Sequence, residues 1–444
     1  MSSIKEEAER CLKCKVPHCS RACPVATPVP EVMQAFLDGE LRDAGALLFG
    51  NNPLSAVCSV VCPHERNCYG HCVLNKKGTP VQFYRVEEYT SQFYLETYAP
   101  EPAPPNGRRV AVVGAGPAGI TASVMLAGKG YGVTLFDVMD AIGGALRYGI
   151  PEFRLHHAKL DHYRRLLDAL GVKFRPNTRI GTYLSGEDLF NDGYDAVFVA
   201  GGAPRPQRLG LLGETLGHVA FAVDYLRSPG SYSLGERVAV VGAGNVAVDA
   251  ARTAVRRGST DVTILNFMGP GEVAAYQDEV ELALIDGVKF LHYSKTIRIT
   301  DRSVKWIGVE RVEGEDGSVT FEDDFTTSGD VQADAVIIAV GQGPAADVPD
   351  AGLKMTQGGL LEADDDGRTS RPRVFAAGDI VTGPRTVVEA VAHAKRAVET
   401  LDAVCRTATG SAVRERTAPT GHARERGEPG PADAPAAEPG GGGG

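Results

Sequence analysis

A chain of 444 residues with 43% hydrophobic side chains carries enough apolar content to bury a large core, and its length predicts roughly three domains. The formal net charge of -10 argues against a nucleic-acid-binding surface, which needs clustered Lys and Arg to displace counterions. The opening residues MSSIKEEAER lack the apolar segment of a signal peptide and no run of 18 or more apolar residues follows, so the expected location is cytoplasmic with no membrane partner.

Residues 1 to 105 hold eight of the nine cysteines, helix-like stretches such as VPEVMQAFLDGELRDAGALLF, and a closing Pro-rich linker, APEPAPPNG. The thiols form two groups, Cys11, Cys14, Cys19 and Cys23, then Cys58, Cys62, Cys68 and Cys72; Cys405 lies far away. Such crowding in a chain without a secretion signal predicts metal ligation rather than disulfides. Thiolates at these spacings converge on a soft centre and a cubane cluster takes four ligands, so two groups suit two iron–sulfur clusters. Two zinc sites, or plain buried thiols, are the alternatives that spacing leaves open.

After the linker, RRVAVVGAGPAGITASVMLAGKGYGVTLFD reads as strand, glycine turn, helix and second strand, one βαβ unit. Its turn residues Gly114, Gly116, Pro117, Ala118 and Gly119 suit a bound pyrophosphate, and Asp137 at the end of the second strand is placed to accept from ribose hydroxyls. The fingerprint alone does not decide between FAD and NAD. A helix is predicted at 156 to 170, and YDAVFVAGGAPRP is a strand running into a glycine turn. A second βαβ unit, ERVAVVGAGNVAVDAARTAVRRGSTDVTILNF, repeats the fingerprint with Gly242, Gly244, Asn245 and Ala247. ADAVIIAVGQGP, carrying Gly341, closes that unit. VFAAGDIVTG, with Gly378 and Asp379, and a helix at 385 to 404 follow. From 407 to 444 the composition collapses to Ala, Pro, Gly, Glu and Arg, as expected of a disordered tail.

These motifs, in this order from residue 5 to about 404, resemble the family of the bacterial glutamate synthase small subunit, the N-terminal part of dihydropyrimidine dehydrogenase, and the larger subunit of ferredoxin:NADP transhydrogenase. The resemblance implies an α/β architecture: a helical double iron–sulfur domain (1–105), an FAD domain (106–232 and 342–406) and a nested NAD(P) domain (233–341), of glutathione reductase type. It implies one [4Fe–4S] cluster on Cys11, Cys14, Cys19 and Cys72, and a second on Cys23, Cys62, Cys68 and a non-cysteine ligand, for which Glu87 stands at the family's Glu or Gln position. Cys58 is then a spare thiol, and a solvated helix acid is the plain alternative for Glu87. The late Gly378–Asp379 pair points to FAD in the first unit. GGALRYGIPEFRL resembles the stretch lining the flavin ring, implicating Gly143, Gly144, Leu146 and Ile150, for which loop packing is the competing role.

In the second unit, most relatives carry a Tyr-Arg-Arg run that holds the NADP 2′-phosphate, where this chain has Asn266, Phe267 and Met268. An uncharged Asn suits a 2′-hydroxyl, so NAD(H) is expected over NADP(H), unless Arg256, Arg257 or a loop Lys reaches the phosphate. No nucleophile–base pair stands out, and direct hydride transfer between nicotinamide and flavin needs none. The expected function is an electron-transfer subunit serving a catalytic partner: the glutamate synthase large subunit, a ferredoxin-linked enzyme, or a molybdenum or tungsten oxidoreductase. A non-catalytic scaffold with a decayed nicotinamide site is the alternative from another class.

Overall fold

The computed structural model describes residues 3–98, 100–344 and 352–407. The first hundred residues form short helices, the first of which, Ile4–Glu9, is closed by a reciprocal Ser3–Glu6 capping box. The helix-like stretch from Val29 breaks into two helices, Val29–Leu37 and Leu41–Asn51, at Gly39, whose φ of +82° ends the first. Their apolar stripes, with the 15-residue helix Phe83–Thr97, enclose a core of Val32, Met33, Leu48 and Val86.

Two five-stranded parallel sheets follow. The first runs Val374–Ala376, Ala196–Val199, Arg109–Val113, Gly132–Phe136, Lys173–Arg175; the second runs Val219–Phe221, Ala335–Ile338, Arg237–Val241, Asp261–Leu265, Lys289–Leu291. In both, the strand feeding the glycine turn is central and buried, as its near-continuous Val/Ala run requires. The carboxyl end of each central strand lies beside a topological switch, where ligands bind in open α/β sheets. A bridge of Arg205–Pro206 with Gln342–Gly343 ties together the two passages between units.

The helices foreseen at 156–170 and 385–404 are His157–Ala169 and Val387–Thr407. Thr407, assigned from sequence to the tail, is the last residue of that helix, and 408–444 lie outside the described residues. An antiparallel meander, Ser294–Ile299, Ser303–Glu313 and Val319–Gln332, stands between the last two strands of the second unit and was not foreseen. Its long third strand is largely exposed and offers no hydrophobic run to read.

One hydrophobic core joins the helical region to the first sheet: Val25, Leu54 and Val57 pack in the same cluster as Val110, Phe198 and Leu401. Among the described residues no single helix is long and apolar enough to cross a membrane.

Candidate functional site

Cys11, Cys14, Cys19 and Cys72, from both cysteine groups, line one pocket together with Cys68. Lys13, held at φ 46°, turns its backbone N–H onto the Cys11 sulfur; the N–H groups of Ser20 and Tyr69 do the same for Cys19 and Cys68. Burial pushes these three thiols up, and the aimed N–H groups work against it. Cys68 also lies within electrostatic reach of Cys23 and Glu87, so it faces both groups. Cys62 contacts Cys58 and feels Glu87 and Cys68; that hydrogen bond, then burial, raises its thiol well above the ordinary value. Among the described residues, no three His, Cys, Asp or Glu side chains close around a single-ion site.

Glu87 is 6% exposed, so the solvated-acid alternative fails. Burial, with Cys58 nearby, holds its carboxyl well above the usual range. Among the described residues it has no ion-pair partner, and a buried acid without a cation is costly. Iron opposite it would supply the missing positive charge, so the donor set suits a cluster.

At the first glycine turn, Gly114 has φ 107°, and a Cβ there would lie 2.3 Å from the Ala200 oxygen; one on Gly119 would lie 1.8 Å from the Gly114 oxygen. Gly116 opens the helix Pro117–Gly128, and the nearest atom to its missing Cβ is the Gly144 Cα at 3.9 Å. The separate motifs meet here: the Gly143 N–H donates to the Ala115 oxygen at 2.8 Å, and a Cβ on Gly378 would stand 3.0 Å from that of Ala118. Leu146 is fully buried in the core and Ile150 packs against it. Asp137 accepts from the Ala115 and Met139 N–H groups at 2.5 and 2.8 Å, bracing the turn, while burial raises its carboxyl. Burial lifts Asp379 to about 6, and its carboxylate accepts from the Arg385 N–H at 3.2 Å. Gly114 and Gly119 are thus demanded by the tightness of the turn itself, while Gly116 leaves open the bare backbone that a bound pyrophosphate approaches.

At the second turn, a Cβ on Gly242 would lie 2.3 Å from the Ala339 oxygen, whereas Gly244 faces open space. Asn245 accepts from the Tyr276 N–H at 2.9 Å, and Ala247 is fully buried where helix meets strand. Gly242, Gly244, Asn245, Asn266 and Gly341 line one cavity of about 720 Å³ and share it with Lys295. Its size is that of a small-molecule site.

Residues 108–394 match the family model for pyridine nucleotide-disulphide oxidoreductases, and residues 1–98 match the model for dihydropyrimidine dehydrogenase domain II, 4Fe-4S cluster. The NADPH glutamate synthase small chains of Halomonas elongata and Azospirillum brasilense are 32% and 33% identical, over 88% and 90% of this chain and 89% and 88% of their own length. The chain belongs to the glutamate synthase small-chain family. It is an FAD-dependent, iron–sulfur NAD(P)H oxidoreductase of that family. In fold, it is similar to Mycobacterium tuberculosis FprA in complex with NADPH, at a TM-score of 0.59 and 20% identity over 69% of this chain and 86% of that one.

The expected preference for NAD(H) is overturned, because the curated glutamate synthase relatives are NADPH enzymes by name. The structure supplies the physical reason. Asn266 is 5% exposed, its side-chain oxygen accepts from the Met268 N–H at 3.0 Å, and its amide nitrogen lies 3.4 Å from His292 Nδ1. Its side-chain oxygen is engaged in shaping its own loop, although the residue also lines the cavity. Neither Arg256 nor Arg257 lines the cavity, and Arg256 pairs with Asp286 at 3.0 Å. Among the described residues, the cation that lines it is Lys295, on the unforeseen meander, next to Ser294, whose N–H donates to the Asn266 main-chain carbonyl at 2.9 Å.

The sequence also gave no sign of an ionic clamp between the units. Arg154, just after the GGALRYGIPEF stretch, places one nitrogen 2.9 and 2.7 Å from the two Asp249 oxygens and another 2.7 Å from Glu279. Arg252 extends the chain to Glu279 and Asp286. Burial lifts Asp249 to about 6, restrained by Arg154.

Proposed function

We propose that this chain oxidises NADPH through FAD and two [4Fe–4S] clusters and delivers the electrons to a larger catalytic subunit of the glutamate synthase large-subunit kind. In this reading residues 1–105 hold the clusters, 106–232 with 342–406 hold FAD, and 233–341 hold the nicotinamide, nested as in glutathione reductase. One cluster takes Cys11, Cys14, Cys19 and Cys72; the other takes Cys23, Cys62, Cys68 and Glu87. The bound flavin supplies conversion of a two-electron hydride into single electrons.

The chain's own residues bind and orient. Gly242 and Gly244 let backbone approach the nucleotide pyrophosphate, and Lys295 offers its ammonium to the 2′-phosphate. An exposed ion pair is worth little, so the Lys295–Asp323 contact at 2.8 Å is a weak competitor for a phosphate dianion. Gly114, Gly116 and Gly119 cradle the flavin pyrophosphate. Asp137 steadies that turn and keeps lone pairs for ribose hydroxyls, and Asp379 serves the ribityl chain.

A single packing observation carries the reading. Cys23 and Cys62 pack against the core that contains Ala115, Ala118 and Ile142 of the flavin cradle, whereas Cys11, Cys19 and Cys72 pack against the separate helical core beyond it, together with Cys68, which faces both thiol groups and so sits between them. This favours an order of nicotinamide, flavin, Cys23/Cys62 cluster, Cys11/Cys72 cluster. Anaerobic titration with NADPH, followed by flavin absorbance and low-temperature electron paramagnetic resonance, tests it. Bleaching of the flavin together with reduced-cluster signals is expected. Stoichiometric zinc without iron, or a flavin that NADPH does not bleach, sinks it.

A further inference from the structure

The chain carries a net charge of -10, yet segments 10–30 and 66–86 contain no Asp or Glu and hold four Lys or Arg each. These are the two segments that wrap the outer cysteine pocket: Leu12, Pro17 and His18 line it from one side, Val73 and Leu74 from the other. They lie against each other, for the Arg10 guanidinium donates to the carbonyls of Thr79 and Pro80. Lys13, Lys15, Lys76 and Lys77 are all exposed. Between the cations, Leu12 and Val16 stand 62% and 46% exposed. The exposed acids bordering the two segments in sequence are Glu9, Glu31, Glu65 and Glu88.

We infer that this basic, apolar-centred face beside Cys11, Cys14, Cys19 and Cys72 is the docking surface for an acidic redox protein, the acceptor side of the catalytic partner. The inference rests on the electron-transfer reading above and names the chemistry of the partner. Two physical facts argue for it. Charge of one sign concentrated on an otherwise oppositely charged molecule orients a complementary partner during encounter, and raises the association rate. An apolar centre ringed by charge is also the anatomy of an interface whose core excludes water. An acidic partner is drawn to this face and repelled by the rest of the molecule, which puts its acceptor nearest the outermost thiols.

Acidic plastocyanin, a one-electron copper acceptor, and basic cytochrome c serve as probes. Each NADPH gives up a hydride, so two electrons reduce two acceptor molecules and one proton is released. The full holoprotein is compared with Lys15→Glu/Lys77→Glu and with Lys76→Glu/Lys77→Glu, iron and flavin content confirming that each is folded. At low salt, charge reversal is expected to slow plastocyanin reduction at least about tenfold and to speed cytochrome c reduction, with the difference vanishing at high salt as screening shortens to a few ångström. Reduction of a small neutral quinone by NADPH reports on the flavin and stays unchanged. Equal plastocyanin rates in variants and parent, with quinone reduction intact, overturn the docking face alone; no quinone reduction by the parent protein overturns the electron-transfer reading and the docking face with it.

Discussion

Lys295 shows how a single residue escapes a motif. It sits on Ser294–Ile299, 29 positions after Asn266, and only pairing within the second unit brings it to the cavity that Asn266 also lines. If it reads the 2′-phosphate, a hydrogen bond to a charged group is at stake, roughly 1.5–3 kcal/mol or about 10- to 100-fold. Lys295→Met is therefore expected to raise KM for NADPH by that factor while leaving KM for NADH unchanged. Steady-state kinetics with both nucleotides decide, and a parallel rise in both would assign Lys295 to packing. Asn266 was visible in the sequence and its surroundings were not: nothing in NFMGPG tells that its side-chain oxygen accepts from the Met268 N–H or that His292 stands beside its amide nitrogen. Glu87 is the same lesson reversed. Only the family resemblance singled it out, and its burial beside Cys58 is a tertiary contact that no local pattern carries.

At the scale of elements, both glycine turns were legible because strand, turn and helix are local and φ above +100° at Gly114 and Gly242 leaves few residue choices. The meander and the Arg154 clamp were not, since the meander's long last strand is exposed and weakly patterned and the clamp joins residues 95 positions apart. The clamp makes a prediction with a pH signature. Arg154→Met leaves the Asp249 carboxylate buried without its main cation, and breaking a buried pair in this way costs about 3–5 kcal/mol. Burial already lifts Asp249 to about 6, and loss of the guanidinium removes what restrains that rise. A carboxyl whose folded pKa exceeds its unfolded one favours the folded state on protonation, so this site's contribution grows as pH falls through the folded value. The gap between variant and parent in urea midpoint should therefore be wide at pH 8 and narrower at pH 5.5. A gap that does not change with pH, or widens on acidification, means that Asp249 is not the group left exposed to the loss.

Across the whole molecule, the helical region is bonded to the flavin unit and is no detachable appendage. The Lys395 ammonium on the last helix donates to Asn51, and the core containing Val25 and Val57 continues into the first sheet. This continuity was invisible in a sequence whose Pro-rich linker reads as a boundary, because linkers mark chain breaks and say nothing of faces that pack afterwards. Under the proposed ligand sets it places the two thiol groups in series, and cysteine replacements can expose that order. Cys14→Ala should remove the outer cluster only: iron halves, NADPH still bleaches the flavin, and a reduced-cluster resonance signal survives from the inner group. Cys23→Ala should also halve the iron and leave flavin bleaching intact, but the remaining cluster is then cut off from the flavin by the empty inner site, and NADPH should leave it oxidised on the timescale of turnover. Tunnelling falls off steeply with distance, so the two variants differ in kind. If Cys23→Ala shows its remaining cluster reduced as fast as in the parent protein, the two groups do not lie in series and electrons reach the outer thiols by another route.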